Sequence, residues 1–200
     1  MATPWKVPPM WQGKTVAILA SGPSLTPEQC NHVAAAGLPA IAINDTFRLA
    51  PWADMLYAAD TGWWRYHAQD ALKFQGLKVT AHESCEFPAV KLLKRSGDLG
   101  FDPDPRFIRT GGNSGYQALH IAIHAGAARV LLLGYDMNAS AGAHWHGQHP
   151  RPLRNTDPET YKRWVSRFSA LAGRGAEILN CTPGSALTCF PFDELRNHHG

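Results

Sequence analysis

No stretch of this chain approaches the roughly 18 consecutive apolar residues that a membrane-spanning helix requires, so an integral membrane role is excluded. The opening segment, MATPWKVPPMW, lacks a basic region followed by an apolar one and does not read as a secretion signal. Four cysteines, Cys30, Cys85, Cys181 and Cys189, include no CxxC pair; they read as reduced thiols of a cytoplasmic protein. Charge is also scarce. Only 18% of residues are charged and the formal net charge is +3. The 19 basic residues are scattered, which falls short of the concentrated face of a nucleic-acid binder. There is no GKS or GKT after a glycine-rich loop, no GxGxxG and no internal repeat.

What is present is a rhythm. Short apolar runs alternate with helical segments, the pattern of parallel strands joined by crossover helices. Strands are expected at Thr15–Ala20, Ala40–Ile43, Met55–Ala59, Leu77–Thr80, Phe107–Arg109, Val130–Gly134 and Glu177–Leu179, most of them apolar throughout, as strands covered on both faces are. Thr26, Pro27 and Gln29 carry the start chemistry of a helix, and Thr156, Asp157, Pro158 and Glu159 repeat it for a helix through Tyr161, Trp164, Val165 and Phe168. Ser114 to Gly126 forms the clearest helix. The expected fold is α/β, Rossmann-like, a mostly parallel sheet with helices on both faces in one domain spanning 15–187. It is preceded by an extension (1–14) and followed by a tail (188–200). Residues 82–106 read as an irregular excursion. Residues 137–155 (MNASAGAHWHGQHPRPLRN) are aperiodic and long for a loop, which marks them as functional or disordered.

Chemistry gathers where these strands end. The first expected strand stops at Ser21-Gly22-Pro23-Ser24, a corner whose glycine allows close approach and whose serines offer donors ahead of a helix start. A second corner, Thr110-Gly111-Gly112-Asn113-Ser114-Gly115, repeats the arrangement, and two such corners on one sheet edge can hold one phosphorylated ligand. Asn44, Asp45, Asp60, Tyr135 and Asp136 end other strands at the same rim, positioned to hold a ribose, read a base or bind a metal carrying phosphates. Asp45 and Asp60 read equally well as helix caps, whereas Asp136 has no helix behind it. In the long loop, His144, His146 and His149 suit general acid/base work. As metal ligands they need a carboxylate or cysteine to complete a site, and their spacing matches no common zinc pattern. His120 and His124 read as packing or surface residues, and His198 and His199 as a frayed tail.

The ordered set SGPSL, AIND, NSGYQAL, VLLLGYDM, HWHGQH and NCTPGSAL resembles the bacterial lipooligosaccharide sialyltransferases and their wider relatives. These relatives include flagellin-modifying motility accessory proteins, archaeal-type 6-hydroxymethylpterin pyrophosphokinases and phage proteins of unknown role. The resemblance covers most of 15–187. It implies a nucleotide or nucleotide-sugar ligand of CMP or CDP type, with Gly22, Pro23 and Ser24 on its phosphates. Asn44 would lie on the sugar or base, Ser114 and Gly115 in the opposing corner, and His144 would be the catalytic base. Two departures stand out. The interval Asn138 to Ala143 holds none of the tyrosines that the sialyltransferases carry there, and Asp60 stands where they tend to have asparagine. The second departure suits the pyrophosphokinase branch, in which ATP and magnesium would engage Asp60 and Asp136. The resulting expectation is a glycosyltransferase acting with a small-molecule nucleotide donor, alone or as a homo-oligomer, its leaving phosphate met by helix N-termini and by Arg151 or Arg154. The alternatives are an ATP- and magnesium-dependent pyrophosphokinase or a catalytically silent nucleotide-binding phage accessory protein.

Overall fold

The computed structural model describes residues 5–82, 84–138, 140, 142–153 and 156–199. In chain order the elements are β1 (Thr15–Leu19), α1 (Pro27–Ala35), β2 (Ala40–Ile43), β3 (Met55–Tyr57), α2 (Thr61–Ala71), β4 (Leu77–Ala81) and β5 (Val90–Arg95). They continue with β6 (Phe107–Ile108), α3 (Ser114–His124), β7 (Arg129–Leu133), α4 (Pro158–Phe168) and β8 (Glu177–Asn180). The eight strands form one sheet in the order β6-β5-β4-β3-β2-β1-β7-β8, and every pairing is parallel. This is the expected α/β Rossmann-like single domain.

Burial on both faces explains the apolar strands. Successive side chains of a strand point to opposite faces. Val16 and Ile18 of β1 therefore join one core cluster, with Ile41, Val130, Leu132 and, from α3 and α4, Tyr116, Leu119 and Phe168. Ala17 and Leu19 join the other, with Ala42, Leu131, Leu133 and, from α1 and α2, Cys30, Val33, Trp63 and Trp64. Trp64, fully buried, still satisfies its indole N–H on the Ala58 carbonyl oxygen (3.0 Å). His120 is a core residue: it stacks on Phe101, accepts the Asp102 amide at Nε2 (3.1 Å), and burial pushes its pKa down to about 3.

Several expectations need correction. Residues 82–106 are not one irregular excursion, because they contain β5, paired to β4 on one side and β6 on the other. Strands β1 and β3 stop one and two residues earlier than expected, at Leu19 and Tyr57. Nor is His198 a frayed residue. Its segment folds back on β8 through a Phe192–Asn180 bridge, and the His198 ring is buried 3.1 Å from Asp193. The opening segment is likewise docked, with Val7 and Trp11 in the core and the Trp11 amide on the Ala125 carbonyl oxygen (2.8 Å).

The order positions the site. From β1 the chain winds outward through β2 to β6, then returns to lay β7 on the other flank of β1. β1 and β7 lie side by side at this reversal, and a crevice opens at the carboxyl ends of the strands.

Candidate functional site at the strand reversal

The β1 corner is built by contact with β7. The Gly22 amide donates to the Gly134 carbonyl oxygen (3.0 Å), and the Ser21 hydroxyl donates to the Ile43 carbonyl oxygen (3.2 Å). A methyl group added at Gly22 would stand 2.0 Å from Asp136 Oδ2 and 2.2 Å from the Gly134 oxygen. Glycine is thus required here for the close approach of β7, whereas the sequence suggested the approach of a ligand. Ser24 is engaged too. Its hydroxyl donates to Asp136 Oδ2 (2.9 Å), its amide points at the same oxygen (3.4 Å), and it lies outside the cleft lining. Helix α1 starts three residues further on, where Thr26 and Gln29 close a reciprocal capping box. The first corner therefore already carries an internal anion, Asp136.

The second corner is more open. Asn113 caps α3 by accepting the Tyr116 amide (3.1 Å), and Gly111 and Gly112 take φ of 54° and 68°, the left-handed region that favours glycine. Gly115 lets α3 press on Tyr135, whose hydroxyl donates to the Gly115 carbonyl oxygen (3.1 Å). Helix α4 covers the corner from outside: a methyl group on Gly112 would lie 3.0 Å from Arg167 Nη1 and 3.3 Å from Trp164 Nε1.

Between the corners lies a cleft of about 240 Å³. Of the residues singled out from the sequence, Ser21, Gly22, Pro23, Asn44, Asp60, Gly112, Asn113, Ser114, Gly115, Asp136 and His144 line it. A second cavity adjoins it and shares Asn44, Asp60 and His149. Among the described residues, only Asn44 (φ 51°) and Met137 (φ 53°) hold a left-handed backbone without being glycine, and both line the cleft. Such strain collects at functional sites because the surrounding structure must enforce it.

Sequence reasoning missed the contribution of α4. Tyr161 and Trp164 line the cleft, with Thr156 just ahead of the helix. Burial pushes the Tyr161 phenol up, opposed by a hydrogen bond with Thr156. The signal was available in part: Tyr161 and Trp164 lie on the stripe that ends in buried Phe168, but they are aromatics with polar tips. The basic group beside the second corner is Arg167. Arg151 is exposed and lines neither cavity, and Arg154 lies outside the described residues.

The histidine loop is seated on the sheet. The Trp145 amide donates to the Ser21 carbonyl oxygen (3.1 Å), and its indole N–H donates to Thr46 Oγ1 (3.2 Å). This anchor turns His144, His146 and His149 inward; they are partly buried, with 16% of the His146 and 10% of the His149 side chain exposed. Burial, then the neighbouring His149 and His146, push the His144 pKa down to about 4; burial lowers those of His146 and His149 as well. His146 faces away from the cleft lining, toward Asp45. Removing the anchor should free the loop without unfolding the sheet. In Trp145→Ala, backbone amides of 142–153 are expected to exchange with solvent about 10-fold faster or more, as a local loss of about 1.5 kcal/mol implies. The global unfolding midpoint should move by only a few degrees. Unchanged exchange would show that the indole does not hold the loop.

Compared with known proteins, the chain matches no family model, no curated protein and no solved structure.

Proposed function

We propose that the protein is a nucleotide-dependent transferase, with a nucleotide-activated donor in the cleft and a glycosyl group passed to an acceptor hydroxyl. One observation carries the reading: two glycine-rich corners from distant parts of the chain meet across a single cleft at the strand reversal, where α/β sheets collect ligands. Because Asp136 occupies the first corner, the donor's phosphates belong at the second. There the start of α3 carries partial positive charge, and Arg167 stands behind Gly112, outside the cleft lining. Asn44, at the opposite wall, is available to the sugar or base. The acceptor fits the adjoining cavity; His149 borders both spaces, and His144, which lines the cleft, takes the acceptor's proton.

A magnesium-dependent pyrophosphoryl transfer from ATP is favoured by one specific feature. Asp60 precedes α2 at the capping position, yet its side chain caps nothing and lines both cavities, where a carboxylate suits a phosphate-bound cation.

Thermal unfolding with CMP, CDP, UDP, GDP and ATP, each with and without magnesium, tests both. A ligand at 100 times its Kd stabilises by about 2.7 kcal/mol, which raises the midpoint of a chain this size by roughly 5–10 °C. A shift with pyrimidine nucleotides that survives EDTA supports glycosyl transfer; a shift confined to ATP with magnesium supports the second reading. No shift with any nucleotide overturns both.

A further inference from the structure

His144, His146 and His149 offer nitrogen atoms that all lie within 4.8 Å of one another, and their ring centroids are 4.5–5.0 Å apart. Protonated, three imidazoles this close repel one another; His144 and His146 stack, and His149 is tilted to both. A carboxylate stands beside them. Asp45, itself 6% exposed, places Oδ2 3.9 Å from His146 Nε2 and 3.8 Å from His149 Nδ1. Its one hydrogen bond among the described residues comes from the Trp63 indole (2.9 Å), and His67 Nε2 lies 3.4 Å from the other oxygen. His146 Nε2 is buried and makes no hydrogen bond, an unfavourable state for a group that could otherwise be solvated. A carboxylate about a hundred residues away thus stands beside two of the three histidines, with Arg48 Nε 3.9 Å from its other oxygen.

We propose that His144, His146 and His149, with the Asp45 carboxylate beside them, form a binding site for a divalent transition-metal cation of the zinc class. Nitrogen-rich ligand sets select zinc, cobalt, nickel or copper over magnesium, which prefers oxygen. Tetrahedral zinc with Zn–N bonds of about 2.0–2.1 Å needs ligand atoms roughly 3.4 Å apart. The imidazoles must therefore close by about an ångström, within reach of side-chain rotation in one loop. Neutral rings suit the site, and burial lowers the pKa of each of the three. The cysteines take no part, since all four are free and none joins the cluster.

The site stands independently of the nucleotide reading and touches it at one point. With a cation resident, the lone pair of His144 is occupied. A cation held by the three imidazoles would supply Lewis acidity at the cleft wall in place of a free His144 base.

The experiment uses untagged, chelator-stripped protein without nucleotide, titrated with Co²⁺ and followed by its visible absorption. One equivalent should bind with the intense bands of a tetrahedral site, and one equivalent of Zn²⁺ should displace it. His146→Ala should weaken Co²⁺ binding by about 100-fold and Asp45→Asn by about 10-fold. Paramagnetic shifts in the unmodified protein provide a readout that needs no variant: resonances of three histidines out of ten should move. The proposal is overturned if less than half an equivalent binds, if other histidines shift instead, or if folded His146→Ala binds as tightly as the parent. Because the nucleotide panel is also read in EDTA, its failure alongside intact Co²⁺ binding overturns only the transferase reading.

Discussion

Replacing Gly22 by alanine is expected to destabilise the fold by about 3 kcal/mol, at the upper end of ordinary overpacking, and to lower the unfolding midpoint by roughly 6–12 °C. The added methyl has nowhere to go. It meets Asp136 Oδ2 at 2.0 Å and the Gly134 oxygen at 2.2 Å, and Gly134 is itself pressed against the Ala20 oxygen. Relief requires β1 and β7 to separate at their tips, breaking the Gly22–Gly134 and Ser24–Asp136 hydrogen bonds. Gly62 provides the contrast. It sits in the first turn of α2 with open space around it and an ordinary backbone, so Gly62→Ala should be neutral or stabilising by up to about 1 kcal/mol. Calorimetry of the two variants decides the matter; a Gly22→Ala midpoint equal to that of the parent would sink the packing argument.

The second large effect belongs to His144→Ala. On the proposed function, loss of this side chain should cut kcat by about 10²–10⁴-fold, whether the imidazole acts itself or through a cation that it helps to hold. Donor affinity should change little, because His144 reaches the cleft from the Trp145-anchored loop and the proposed phosphate position is at the α3 corner. Turnover with whichever donor stabilises the protein, together with the Kd of that donor, separates the two quantities. Unchanged turnover removes His144 from the chemistry; lost affinity with intact turnover reassigns it to donor binding.

Much of the scaffold was legible because of burial. The runs VAIL, AIAI and VLLL sit in central strands covered on both faces, so tertiary context and local pattern agree. Strand β5, VKLLKR, was not readable: it lies near the sheet's end, where exposed Lys91, Lys94 and Arg95 interrupt the apolar pattern. The glycine corners were legible as places of close approach, but the partner was not. At Gly22 it is the chain's own Asp136, more than a hundred residues away. The same separation hid Asp45 behind the loop histidines, a proximity that only the folded chain creates.

The two ends of the sheet are both blunted. On one side β6 is only two residues long, and on the other the segment carrying Phe192 hydrogen-bonds along β8, the Asn180 amide donating to the Pro191 oxygen at 2.8 Å. Among the described residues the outer side of β5 is met by β6 at Lys94 and Arg95 and by the Trp5 amide at Leu92, so the free edge at each end is short. Strand addition from another chain is disfavoured where these ends are blunted, which favours helical and loop surfaces for any self-association.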